Sequence, residues 1–323
     1  MQLPESISTL SEALHDPRDE TVVDAIRGLG LAGTPEAAQA IMRHVSLKPR
    51  QCPPQIVQTA LAQCYRANSQ LLLSAVREAD DTLRPMLARA LAEVAGRGLI
   101  GDLMELALDP LAEVRASAAR IIAGVKPSYA LNVLSMLAGD SEWFVRLRAA
   151  VAIGELGNKH GIPLLVNALC DRDRFVRLRA ASELVRFKGE EAFVIRLAMQ
   201  TEDRYALQAL ISEIERSGRL PEMVDGLAAG GRQPAIESVL IAVLQNGFVT
   251  ILADLLLNHP DARVRTRLAR LLAQSGDTPL LECLEQINKS DLGLGQQKLL
   301  RWVISRLGKA IDAREAVKEA VSA

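Results

Sequence analysis

Residues 140–189 state one pattern twice. Asp140-Ser-Glu-Trp-Phe-Val145-Arg146-Leu-Arg148-Ala149-Ala150 is followed by Asp171-Arg-Asp-Arg-Phe-Val176-Arg177-Leu-Arg179-Ala180-Ala181, and each copy runs on to a glycine, Gly157 or Gly189. Leu83, Val114, Val145 and Val176 are successive anchors spaced by 31 residues. A unit this short cannot bury its apolar face alone and is stable only when stacked on copies of itself. The 323 residues therefore read as one elongated array, a single domain over 1–323, and not as two globules.

Apolar residues recur four, five and eight positions after each anchor, which places them on one face of a helix. The chain is 49% hydrophobic but only 3% aromatic, so Ala, Leu, Val and Ile do the packing. Such side chains suit closely stacked helices better than strands. Leu3, Ile7, Leu10 and Leu14 predict a first helix, and Gly33-Thr34-Pro35 predicts the end of one helix and the cap of the next. Pro49, Pro53 and Pro54 predict a protruding loop, and Gly230-Gly231 reads as an ordinary turn. The signature fades after Gly189 and returns at Val264-Arg265. A last unit ends near Gly308, and residues 310–323 read as a separate capping helix with a polar outer face.

The pattern of a turn Asp, then Val-Arg, then Ala-Ala, then Gly resembles HEAT repeats, specifically the bacterial HEAT-like kind also found in phycobilisome lyases. It is strongest over 109–124, 140–157 and 171–189. The resemblance implies an all-α, right-handed superhelical α-solenoid of about ten helical hairpins. It also implies that Arg115, Arg146, Arg177 and Arg265 pair with the turn aspartates Asp109, Asp140 and Asp171 in a ladder. His259 stands where the fourth turn Asp belongs, which leaves Arg265 to find Asp261 or a neighbouring repeat.

A net charge of −1 removes the global basicity usual in nucleic-acid binders, so any such role needs a local patch. The four cysteines form no CxxC pair, which argues against a zinc site or a disulfide framework and for a reducing cytoplasm. His15, His44, His160 and His259 are isolated from one another and from glutamates. The chain is thus unlike the iron-binding HEAT-repeat hydroxylases, and no metal or cofactor is expected. The most apolar window, 239–257, is interrupted by Gln245-Asn246-Gly247 and contains Asp254, so no membrane span is expected.

Two features rise above this background. Phe144 and Phe175 occupy the position before the anchor, which is held elsewhere by Glu20, Gln55, Thr82, Glu113 and Arg263, and Trp143 precedes the first of them. Trp143, Phe144 and Phe175, with Arg148 and Arg179 beside them, are candidate partner-binding residues. Positions three and six after each anchor point away from the apolar face, and Arg89, Arg120, Arg267 and Arg270 join Arg148 and Arg179 there as a candidate basic stripe. The reading that follows is a non-catalytic scaffold for another protein. Its alternatives are a binder of an anionic polymer such as nucleic acid and, third, a phycobilin-lyase-like enzyme.

Overall fold

The computed structural model describes residues 3–48, 51–228, 234–245, 247–288 and 292–322. Among these residues the chain is an α-solenoid of 20 α-helices and three short 3-10 turns, without a strand. It divides into two compact units, Met1–Leu164 and Leu165–Ala323.

In the first unit the helices Asp19–Ala32, Pro54–Cys64, Arg84–Val94, Ala112–Val125 and Trp143–Leu156 pack each upon the next. Leu3–Ala13, Pro35–Leu47, Ser69–Glu78, Leu103–Ala107 and Ala130–Leu137 form a second layer behind them. The seam between the layers is the periodic set read from the sequence. Val114, Ala118, Ala119 and Ile122 are buried, as are Val145, Ala149, Ala150 and Ile153. Burying each branched side chain contributes about 1.5–3 kcal/mol over leaving it in water.

Local rules place the helix ends. Gly33 adopts the left-handed conformation, with φ 67°, and returns its N–H to the Gly30 carbonyl. The Thr34 side chain then accepts the Ala37 N–H at 3.3 Å, and Pro35 opens the next helix, where a missing N–H costs nothing. Gly30 serves a different need. A Cβ on it would lie 2.8 Å from the Ala60 Cα, so glycine lets Asp19–Ala32 and Pro54–Cys64 approach closely.

The second unit continues the plan. Arg174–Leu184 packs on Arg204–Arg216, and Glu191–Gln200 on Pro234–Gln245. Val249–Asn258 packs on Ala262–Ala273 and on Thr278–Ile287. Val264, Leu268, Ala269 and Leu272 are buried at the offsets the anchor predicts.

Two local features differ from the sequence reading, and one predicted loop is described only in part. The apolar spacing over 99–108 predicts a single helix, but Arg97–Asp102 is a 3-10 turn before the short helix Leu103–Ala107; Gly98 and Gly101 weaken helix propensity there. In the proline-rich loop Cys52 is buried while Pro53 and Pro54 are exposed, and Pro49, Arg50 and Gly230-Gly231 lie outside the described residues. The helix Leu294–Ser322 runs unbroken through Gly308, so 310–322 continues the helix that carries Trp302 and is not a separate cap. Its Leu300, Val303 and Leu307 are buried, which holds the helix together across a glycine that alone costs only about 1 kcal/mol.

Burial also sorts the thiols. Desolvation pushes the Cys64 thiol up to about 11 and raises those of Cys52 and Cys283, whereas Cys170 is exposed. The thiolate is the reactive form, so a maleimide at neutral pH is expected to modify Cys170 first and Cys64 only on unfolding. Mass mapping of a labelling time course checks this, and equal rates for Cys64 and Cys170 would contradict the packing.

Candidate functional site

The arginine after each anchor turns back over the loop that precedes its helix. Arg146 Nη1 donates to the carbonyls of Asp140 and Ser141, both at 2.9 Å. Arg115 does the same to Asp109 and Pro110, and Arg177 to Asp171 and Arg172. Each turn aspartate folds its own loop in return, because its Oδ1 accepts the N–H two residues on, as in Asp109 to Leu111 and Asp140 to Glu142. Such side-chain-to-backbone bonds are why Asp is favoured in turns.

Arg115 also reaches forward. Its Nε and Nη2 hold both oxygens of Asp140 at 2.7 and 2.8 Å, a bidentate pair joining one repeat to the next. Arg84 stands 4.0 Å from Asp109 in the same relation. Burial alone pushes the Asp140 carboxyl up, but the Arg115 guanidinium and the Glu142 N–H outweigh it and hold the group below its ordinary value. Arg115 and Asp140 thus form a joint between neighbouring repeats, while Arg146, Arg177 and Arg265 hold the loops before their own helices.

His259 fills the aspartate's place. Its Nδ1 accepts the Asp261 N–H at 3.2 Å, as an aspartate oxygen would, and its Nε2 lies 3.0 Å from Asp225. Arg265 donates to the carbonyls of His259 and Pro260, so it serves its own loop as the other arginines do.

The outward face of the first unit carries a groove of about 510 Å³ crossing Pro54–Cys64, Arg84–Val94, Ala112–Val125 and Trp143–Leu156. Phe144, Arg148, Arg89 and Arg120 all line it, which brings the pre-anchor aromatic and part of the arginine stripe into one place. Glu93 and Glu113 line it too, so three arginines face two glutamates and the surface is mixed. The Gln58 amide donates to Glu93 and fixes its direction. Trp143 stands outside the groove lining, 43% exposed, its ring edge-on to Phe144 with centroids 6.0 Å apart.

In the second unit Phe175 is 54% exposed, with the Arg174 guanidinium 5.5 Å from its ring centroid. Arg179 is engaged within its own helix, 3.1 Å from the buried Glu183, which also accepts from Arg186 at 2.6 Å. Arg267 and Arg270 lie on Ala262–Ala273, with Arg270 exposed. Sequence reasoning overlooked Tyr205, which is 70% exposed on the helix packed against that of Phe175. Each aromatic sits two residues after an N-cap aspartate, Asp173 or Asp203, that accepts its N–H at 2.8 Å. The Asp-x-aromatic spacing was the available signal. It went unread because Ala206-Leu207 replaces Val-Arg.

Among the described residues no group of three or more His, Cys, Asp or Glu is placed to hold a metal ion, and no helix is long and apolar enough to cross a membrane. Residues 131–215 match the family model of HEAT repeats. No curated protein matches the chain. Among solved structures it is similar to an engineered protein at 19% identity and TM-score 0.40, over 94% of this chain and 99% of that one. A second engineered protein is similar at 20% identity and TM-score 0.33, over 82% of this chain and 94% of that one.

Proposed function

We propose that this HEAT-repeat protein is a non-catalytic scaffold that receives a protein partner in the groove of its first unit. HEAT repeats generally serve protein interaction, and one observation supports this location for it. Phe144 and the arginines of three successive helices converge on a single groove, while the opposite faces of those helices are taken up by the core. Aromatics and arginine are the residue types enriched at binding hot spots. The second unit has surface anchors of its own, Phe175 and Tyr205.

The test is capture of the partner from native lysate by wild type and by Phe144→Ser and Arg120→Glu, at low and high salt. Either substitution is expected to weaken capture by about 30-fold, the equivalent of about 2 kcal/mol at a hot spot. Capture by wild type should persist at high salt, since binding to a polyanion falls steeply as salt rises. Capture indifferent to both substitutions would remove the groove from the proposal. Phe175→Ser probes the second unit separately.

A further inference from the structure

We infer that the groove of the first unit takes an extended peptide with a basic end and an acidic end, a reading that rests on the scaffold proposal. Two further cavities adjoin the arginine-lined one. A cavity of about 770 Å³ over the start of Asp19–Ala32 is lined by Asp19, Glu20 and Asp24, and shares Pro54 with the arginine groove. An apolar pocket of about 340 Å³, with Leu31, Ile56 and Ala60 in its wall, shares Arg27 with the acidic cavity and Gln55 with the arginine groove. The shared residues make the three one surface across five packed helices.

Its charge is ordered. At one end three carboxylates face a single Arg27, which is itself tied to Asp24 at 3.2 Å. At the other end Arg89, Arg120 and Arg148 outnumber Glu93 and Glu113. A nucleic acid presents charge of one sign along its whole length, so phosphates drawn to the arginines would run on towards Asp19 and Glu20. A peptide backbone carries no charge and can set opposite side chains at its two ends, with an apolar residue between them for the Leu31 pocket. Helices packed about 8–10 Å apart place the first and fifth axes roughly 35 Å from each other, a span that takes about eleven residues of extended chain. The arginine on one helix and that on the next are then about three residues apart along the occupant.

The experiment is selection of a random dodecapeptide display library on the full-length chain. Enriched peptides are expected to carry Lys or Arg towards one end and Asp or Glu towards the other, in one fixed orientation. Arg89→Glu with Arg120→Glu should lower affinity for them by about tenfold or more, and Glu20→Lys with Asp24→Lys likewise. A peptide with its two ends exchanged in charge should bind the fourfold variant. Thermal melts of each variant confirm folding, and any variant that fails to fold is replaced by the corresponding Ala substitution. Enrichment without charge order, wild-type-selected peptides that bind the fourfold variant as well as they bind wild type, or binding of a single-stranded oligonucleotide abolished by the arginine changes would each overturn the inference. If lysate capture still depends on Phe144 while the peptides lack order, the charge order fails and the scaffold stands. If capture ignores Phe144 and Arg120, the scaffold reading of this groove fails first.

Discussion

Replacing Arg115 with alanine is expected to destabilise the first unit by about 2–4 kcal/mol, because it strands a largely buried carboxylate along with two loop carbonyls. Four hydrogen bonds leave together: two to Asp140 and one each to the carbonyls of Asp109 and Pro110. Arg115→Lys should recover less than half of the loss, since one ammonium cannot reproduce the planar fork that meets acceptors on both sides. Urea titration of the three proteins measures this, and a loss below about 0.5 kcal/mol for the alanine variant would show the joint to be ornamental.

The same pair has a pH signature. The folded Asp140 carboxyl sits below its ordinary value, so its contribution is complete above the unfolded aspartate pKa of about 3.9 and is lost as pH falls through the folded one. Wild type should therefore lose stability in acid more steeply than Arg115→Ala below about pH 4. The difference between the two curves isolates this pair from Asp16, whose carboxyl Arg18 lowers to about 2, and from Asp261, lowered by Arg263.

Two glycine-to-alanine changes are expected to move stability in opposite directions. Alanine raises helix propensity by about 1 kcal/mol in both cases. At Gly30 the new Cβ would meet the Ala60 Cα at 2.8 Å, its Cβ at 2.9 Å and the Gln63 Oε1 at 2.7 Å. Two of those atoms cannot swing aside, so the helices must part at a net cost of about 1–3 kcal/mol. At Gly308 nothing lies within 4 Å of the added carbon, and the change should stabilise the helix Leu294–Ser322 by about 0.5–1 kcal/mol. Thermal midpoints measure both, and a gain at Gly30 would show that the helices are not in close contact there.

What was legible in the sequence was whatever the 31-residue spacing repeats. The anchors and the residues four, five and eight positions later are the buried seam, because a fixed offset on a helix is a fixed direction. The same arithmetic put Arg89, Arg120 and Arg148 outward, and three helices side by side gather them with Phe144 in one groove. The acidic and apolar neighbours of that groove were not legible. Asp19, Glu20 and Leu31 belong to a repeat whose anchor is weak, and nothing in their spacing says that Pro54 and Gln55 bring them beside the arginines. The forward reach of Arg115 to Asp140 crosses 25 residues, a distance at which sequence patterns name the partners but not which repeat supplies them. Gly308 was misleading for a simpler reason: glycine ends a helix only where no buried face carries the chain past it.

The joint between neighbouring repeats has a further consequence, for how such an array can change in length. Arg84 and Asp109, then Arg115 and Asp140, are the same two residue types at the same separation. Cutting out one whole period would set the arginine of one joint in front of the aspartate of another, and duplicating a period would add a complete joint. Neither operation leaves a carboxylate without its guanidinium. Insertion or loss of any other length would break the register of anchors and ladder together. The chemistry of the seam therefore counts in whole units and is indifferent to their number, so this chain can gain or lose surface by the repeat without redesigning what holds it.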